Sequence, residues 1–151
     1  ILSGLVGSEM CIRDRLKGAH QDDPAAVLEG FQNVSVSAKS FVGAGYRHDG
    51  NAEKGAQRAR FKVKVSRSGR FEVRLWYPPN ANRATNVPVS VRFEGGEKVV
   101  KIDQRRVDAG GAFRVLCVLD LTEGSVVEVL VSNEGTDGFV VVDAVELSPA
   151  R

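Results

Sequence analysis

The side chains best suited to bind a ligand lie in a polar loop, residues 78–86, between two alternating segments. The loop and the segment before it supply an indole, amides, a guanidinium and a hydroxyl, at Trp76, Asn82, Arg83, Thr85 and Asn86. Amide and guanidinium groups exchange hydrogen bonds with sugar hydroxyls, and an aromatic plane stacks on the C–H face of a sugar ring. The loop therefore favours a binding site for a polyhydroxylated ligand over an active site.

Trp76 has a second interpretation, because it lies in a segment with a period of two. One face of that segment is apolar and the other is mostly charged: Phe71, Val73, Leu75 and Tyr77 against Glu72, Arg74 and Trp76. A large indole is usually mostly buried, so burial of Trp76 under other parts of the chain is slightly favoured over a sugar platform. Tyr77 is predicted to lie in the core with its hydroxyl at the rim.

A second polar segment, residues 43–55, contains further candidates. Tyr46, Arg47 and His48 are predicted ligand contacts, because aromatic and donor side chains on loops often bind ligands. Oxygen ligands for calcium follow at alternate positions: Asp49, Asn51 and Glu53. The rest of the EF-hand spacing is missing, so a solvated loop is favoured over a calcium site. The segment also lacks the Gly-Lys-Ser/Thr ending of a phosphate loop, and no cofactor is predicted.

Catalytic chemistry has little support in the sequence. Ser66, His48 and Asp49 are the residue types of a nucleophilic triad, but no nucleophile elbow accompanies them. Asp143 falls among the apolar residues of GFVVVDAVEL, where a carboxylate is costly unless it is hydrogen-bonded. Asp143 is therefore predicted to be structural and to tie the last strand to a neighbouring loop.

The elements that position these residues are short alternating segments separated by Gly, Asn, Asp and Ser clusters. This pattern of short alternating segments and turn residues is typical of an all-β sandwich. Strands are predicted at residues 33–39, 58–65, 70–77, 87–93, 98–102, 113–121, 125–131 and 138–147. The segment 113–121 is apolar on both faces and is expected to be central. A jelly-roll-like antiparallel β-sandwich of about eight strands accommodates this pattern.

The composition limits the class of protein. A chain of 151 residues, 42% hydrophobic and 26% charged, is sufficient for one globular domain with a real core. Basic and acidic residues are interspersed, and no basic stripe with interleaved aromatics indicates nucleic acid as a partner. No apolar run approaches the roughly 20 residues of a membrane span. The isolated domain is expected to be monomeric.

The first fifteen residues are unlike a natural N-terminus. Residues 5–14, LVGSEMCIRD, resemble the conceptual translation of a sequencing adapter, and no signal-peptide pattern is present. Residues 1–15 are therefore expected to be an artefact, 16–29 a linker or lead-in, and 30–149 the folded domain. The chain is expected to be the C-terminal fragment of a larger protein.

Four segments resemble one family: HDGNAEKG, GRFEVRLWYPPNANRATNVPVSV, the Asp103-Gln104-Arg105 step and SNEGTDGFVVVDAVEL. Over residues 28–149 the chain is similar to the golvesin C-terminal domain family, also described as xanthan-lyase carbohydrate-binding-like. The resemblance implies a β-sandwich module of larger secreted or cell-surface proteins, among them polysaccharide lyases and proteins with an FAD-dependent oxidoreductase domain. It thus implies an extracellular, periplasmic or cell-surface location.

Two functions stay open at this point. The first is a non-catalytic carbohydrate-binding-like accessory module, whose partner is a polysaccharide. The second is a structural module that packs against an adjacent, upstream catalytic domain of the same polypeptide through the face of Arg74 and Trp76. An exposed apolar patch on that face would favour the second function.

Overall fold

A computed structural model describes residues 19–22, 27–31, 33–35, 46–107 and 113–150. The predictions made for residues 1–15 lie outside these ranges. Every regular element within them is a strand: β1 (Ala19–Asp22), β2 (Val27–Glu29), β3 (Asn33–Ser35), β4 (Tyr46–His48), β5 (Arg58–Lys64), β6 (Gly69–Trp76), β7 (Val87–Phe93), β8 (Gly96–Ile102), β9 (Phe113–Leu121), β10 (Val126–Ser132), β11 (Val141–Val142) and β12 (Ala144–Pro149).

The strands form two main sheets and one small sheet. The four-stranded sheet has the order β1-β12-β6-β9, and the five-stranded sheet has the order β2-β5-β10-β7-β8. A three-stranded sheet, β11-β4-β3, adjoins them. All of these pairs are antiparallel. The prediction of an all-β antiparallel sandwich is confirmed, and the short strands β1, β2, β4 and β11 raise the number of strands above eight.

The core lies between the two main sheets and follows the alternation of the sequence. In β5, Ala59, Phe61 and Val63 are buried while Arg58, Lys62 and Lys64 are exposed. The same alternation buries Val87, Val89 and Val91 of β7. Burial of each such aliphatic or aromatic side chain contributes about 1.5–3 kcal/mol, so the packed faces fix the register of the strands.

The predicted lead-in takes part in the sandwich. β1 pairs with β12 from Ala19 to Asp22, and β2 pairs with β5 from Val27 to Glu29. Three-residue and four-residue strands give too short a pattern to recognise from alternation alone. The described sandwich therefore begins before residue 30.

The prediction that the 113–121 strand is central is not supported, because β9 stands at the edge of the four-stranded sheet among the strands that the structure describes. Val73 lies opposite Cys117 whereas Arg74 lies opposite Val115, so Leu116 is the extra residue of a β-bulge. The bulge changes which alternate residues face the core. Beyond the bulge Val118 is 37% exposed on the outer face, whereas Phe113, at the start of the strand, is buried.

The last predicted strand, 138–147, is interrupted at Asp143. Residues before the break form β11, in the small sheet, and residues after it form β12, in the four-stranded sheet. Asp143 is fully buried at this change of sheet. The structural role predicted for its carboxylate, as a hydrogen-bonded tie to a neighbouring loop, stays a prediction. Of the strand predicted at 33–39, residues 33–35 form β3, and the rest lies outside the described ranges.

Within the described ranges, the structure contains no helix with the length and apolar character needed to cross a membrane.

Candidate functional site

Arg83 anchors the 78–86 loop to the fold. Its side chain is 4% exposed, and its Nε donates to the Pro78 carbonyl oxygen at 3.2 Å. One terminal nitrogen donates to Tyr46 Oη at 3.4 Å, and the guanidinium carbon lies 5.4 Å from the centre of the Tyr46 ring. Tyr46 is itself 2% exposed. The predicted ligand contacts at Arg83 and Tyr46 are not supported, because each side chain is buried against the other.

The backbone of the same loop pairs with the segment before β11. Arg83 forms a parallel bridge with Phe139, in which the Ala84 N–H donates to the Phe139 oxygen at 2.8 Å. A Cβ atom added at Gly138 would lie 2.9 Å from the backbone of Arg83 and Asn82. Only glycine permits this approach, so the two segments are held as one unit.

Thr85 and Asn86 bond to the turn at residues 134–137. The Thr85 N–H donates to Asp137 Oδ1 at 2.7 Å, and its hydroxyl donates to Oδ2 of the same carboxylate. Asn86 Nδ2 donates to the Gly135 oxygen, and Asn86 Oδ1 accepts from the Asp137 N–H. The hydrogen bonds from Thr85 lower the pKa of Asp137 below its usual range. These bonds shape the loop, and they are signs of a structural role for Asn86.

His48 and Arg47 are half-buried on β4, between β11 and β3. The His48 ring lies edge-on to Phe139, with ring centres 5.6 Å apart, and its Nδ1 accepts from the Gly50 N–H at 3.0 Å. Partial burial lowers the pKa of His48. Both side chains keep some exposed surface, so they stay predicted contacts.

Trp76 lies in a small cluster on the outer face of the four-stranded sheet. It is 1% exposed and packs with Phe113 and Ala144, and its ring centre lies 5.0 Å from that of Phe113. The indole Nε1 donates to Glu146 Oε1 at 3.0 Å. The buried interpretation of Trp76 is confirmed, and a sugar platform at this residue is wrong, because the ring has no free face to offer a ligand.

The predicted calcium ligand Asp49 accepts hydrogen bonds within the protein instead. It is 1% exposed. Oδ1 accepts from the N–H groups of Asn51 and Val140, and Oδ2 accepts from Lys54 Nζ at 2.8 Å and Asn133 Nδ2 at 3.1 Å. Lys54 Nζ also donates to the Gly138 oxygen. The ammonium of Lys54 thus supplies the positive charge that a calcium ion would bring.

The other two predicted calcium ligands, Asn51 and Glu53, are exposed. Among the residues that the structure describes, no group of three His, Cys, Asp or Glu side chains is placed to hold a metal ion. The contacts of Asp49 also contradict a Ser-His-Asp arrangement, since each of its oxygens already accepts two hydrogen bonds from groups other than the His48 imidazole.

An open groove of about 570 Å³ lies beside the 78–86 loop. One wall is formed by Pro79, Asn80, Ala81 and Thr85, and the other by Asp103, Arg105 and Arg106. We call this feature the loop groove. Its volume falls in the range of small-molecule sites in proteins, roughly 300–1,000 Å³. Along this groove the predicted loop faces the polar side chains of Asp103, Arg105 and Arg106.

Two buried side chains hold the second wall of the loop groove in position. Gln104 is fully buried, and its side-chain amide bonds both the N–H and the oxygen of Val141 at 2.8 Å. The Tyr77 hydroxyl donates to the Arg106 carbonyl oxygen while its ring is fully buried. The prediction of a core Tyr77 with its hydroxyl at the rim is confirmed. These bonds tie the backbone of this wall to the core and to the segment around Val141.

The loop groove combines hydrogen-bond donors and acceptors, with two guanidinium groups and one carboxylate among them. Arg105 Nε donates to the Arg83 carbonyl oxygen at 2.8 Å, which fixes the plane of its guanidinium. Arg106 is highly exposed, with Nε 3.9 Å from Asp103 Oδ2. Guanidinium groups donate, carboxylates accept, and amides and hydroxyls do both. This set suits neighbouring hydroxyl groups on one ligand, and the Pro79 ring adds an apolar surface.

Sequence reasoning found one side of this groove and missed the other. Thr85, a predicted ligand contact, lines the loop groove, whereas Asn82 lies outside it, exposed and accepting from Arg83. Asn80, Arg105 and Arg106 line the groove and were not among the predicted ligand contacts. Asp103 and Arg105 belong to a step that carries the family resemblance, and this was the available signal.

The described strands form a β-sandwich with a fold also found in carbohydrate-binding modules. A family 35 carbohydrate-binding module from Clostridium thermocellum has the same fold, with a TM-score of 0.55, 17% identity, and coverage of 89% of this chain and 99% of that chain. Residues 20–149 match the family described as Golvesin C-terminal domain. The chain belongs to this family.

Two similar proteins are xanthan lyases. The chain is 35% identical over 128 residues to a xanthan lyase of Bacillus sp. strain GL1. The aligned region covers 83% of this chain and 14% of that enzyme. The structure of a Paenibacillus xanthan lyase matches with a TM-score of 0.79 and 30% identity, over 88% of this chain and 13% of that chain. The present chain therefore spans about one seventh of the length of these relatives.

Proposed function

We propose that the chain is a non-catalytic carbohydrate-binding accessory module, and that the loop groove receives one sugar unit of a polysaccharide. The observation that carries the proposal is the convergence of Asn80, Thr85, Asp103 and Arg105 on one preorganised groove. Rigid walls reduce the ordering cost of binding. The family membership and the fold support a carbohydrate as the ligand, and a secreted or cell-surface protein as the setting.

The double variant Asn80→Ala/Arg106→Ala tests the loop groove by affinity electrophoresis in gels containing glucan, mannan, galactan or xanthan. Both side chains line the groove, and neither forms a hydrogen bond on which the fold depends. We expect at least one polymer to retard the chain. The double variant should bind that polymer about tenfold more weakly or worse, since each lost hydrogen bond costs roughly 0.5–1.5 kcal/mol and more when charged.

The control is Arg67→Ala, an exposed residue between β5 and β6 that does not line the groove. It should bind the polymer within about twofold of the original chain. Retardation that persists unchanged in the double variant, or is lost in the control alone, would place the ligand elsewhere. No retardation by any of the polymers would count against the function itself.

The alternative, a structural module that packs on a catalytic domain through the Arg74 and Trp76 face, gains no support from this face. Trp76 is buried, and Arg74 lies over the Phe113 ring at 4.3 Å while pairing with Glu72. A module that packs on a catalytic domain through this face would expose an apolar patch there, whereas the aromatic side chains of this face are buried.

A further inference from the structure

Arg105 is held in the loop groove by one of its three guanidinium nitrogens. Its Nε donates to the Arg83 carbonyl oxygen at 2.8 Å, and its side chain lines the groove. Among the residues that the structure describes, neither terminal nitrogen of Arg105 has a hydrogen bond or an ion pair. These two nitrogens lie side by side in the guanidinium plane, and such a pair matches the two oxygens of a carboxylate.

The two carboxylates near Arg105 are already engaged by other groups. Asp103 Oδ2 lies 3.9 Å from Arg106 Nε, and Asp103 Oδ1 accepts from the backbone N–H of Arg105 at 2.9 Å. Asp137 accepts from Thr85 at both of its oxygens. The charge of Arg105 also acts on Asp137, and it is the smallest of the influences on the pKa of that carboxyl. Arg106 is thus paired within the groove, whereas the fork of Arg105 is left for a ligand.

Arg83, whose carbonyl oxygen holds Arg105, adds a buried positive charge to the same loop. Within the described structure its guanidinium bonds to neutral acceptors alone, which are the Pro78 oxygen, Asn82 Oδ1 and Tyr46 Oη. A buried charge is screened less than an exposed one. The two guanidinium groups that line the groove and this third one stand against two carboxylates, which leaves an excess of one positive charge.

We propose that the loop groove prefers a sugar unit that carries a carboxylate, and that Arg105 is the residue that selects it. This inference rests on the proposed function and adds the class of sugar to it. The carboxylate accepts from the two terminal nitrogens of Arg105, and Asn80 and Thr85 on the other wall remain for the hydroxyl groups. A neutral sugar lacks the charged partner for this fork, so it binds more weakly.

The test uses oligosaccharides from polygalacturonate, alginate and xanthan, each beside a form whose carboxylates have been reduced to primary alcohols. Reduction removes the charge and keeps the ring hydroxyl groups. Isothermal titration calorimetry at about 150 mM salt limits the contribution of distant charges. At least one acidic oligosaccharide should bind about tenfold or more tightly than its reduced form, because hydrogen bonds between charged partners are the strong ones.

Arg105→Gln should remove the preference for the acidic form. Binding of the acidic oligosaccharide should fall about tenfold, while binding of the reduced form should change less than about threefold, which shows that the groove is still formed. Arg105→Lys keeps the charge without the paired nitrogens and should restore only part of the loss. The matched control is Arg67→Gln, which removes the same charge from an exposed position outside the groove and should keep the preference.

The inference and the proposed function can fail separately. Equal binding of the acidic and reduced forms would overturn the inference and leave the carbohydrate-binding function standing, as would retardation by neutral glucan, mannan or galactan with no binding of the acidic oligosaccharides. A preference that persists in Arg105→Gln, or is lost equally in Arg67→Gln, would also overturn the inference. Absence of binding by every acidic, reduced and neutral carbohydrate would contradict both.

Discussion

Asp49→Asn should lower the free energy of unfolding by about 3 kcal/mol or more, the largest loss expected from a substitution that preserves shape. Oδ2 accepts from Lys54 and Asn133, and Oδ1 accepts from two backbone N–H groups. An asparagine amide donates where one carboxylate oxygen accepted, so two buried donors face its NH₂ group in either orientation. The Lys54 ammonium also loses its ion pair.

Urea denaturation followed by circular dichroism measures this effect. The matched control is Asp120→Asn, an exposed carboxylate on β9, which should change the free energy of unfolding by less than about 0.5 kcal/mol. A change below about 1 kcal/mol for Asp49→Asn would mean that the bonds around this carboxylate do not hold the 49–55 loop to the segment before β11.

Trp76→Ala should cost about 3–5 kcal/mol, the usual loss for a fully buried aromatic residue. The substitution removes the packing against Phe113 and the hydrogen bond to Glu146. Trp76→Phe keeps a ring in the cluster and removes the indole donor, so its loss should be intermediate. An exposed sugar platform would behave differently, because replacing it would cost binding and little stability.

Circular dichroism is the suitable signal for the Trp76 series, because the chain has one tryptophan and Trp76→Ala removes its fluorescence. Val118→Ala is the control on the same outer face, since Val118 is 37% exposed, and its effect should be below about 1 kcal/mol. Equal effects of Trp76→Ala and Val118→Ala on stability would contradict the buried position of the indole.

The sequence was sufficient for the sandwich because its signals are local. The alternation in β5 and β6 predicts which of their residues face the core. The predicted burial of Trp76 and Tyr77 follows from the size and polarity of their side chains. Where a feature interrupts the alternation, prediction failed. A rule that expects one period along a strand predicts neither the bulge at Leu116 in β9 nor the change of sheet at Asp143.

The site was harder to predict, because its walls meet only in the folded protein. The composition of the 78–86 loop was enough to single it out. Its hydrogen-bond partners are distant in sequence, because Arg83 bonds to Tyr46 while Thr85 and Asn86 bond to the 134–137 turn. Arg105 and Arg106 follow β8, and Arg105 contacts the loop directly through the hydrogen bond from its Nε to the Arg83 carbonyl oxygen. Polar side chains in a loop signal a ligand or a structural bond equally well, and tertiary contacts decide between them.

The most direct test of the loop groove is a titration followed by two-dimensional ¹H–¹⁵N NMR, with an oligosaccharide prepared from the polymer that retards the chain. The loop groove predicts saturable shifts of the amide signals of Asn80, Ala81, Thr85, Arg105 and Arg106. The signals of β5 should stay unchanged. If saturating oligosaccharide shifts only other amide signals and leaves these five unchanged, the loop groove is not the binding site.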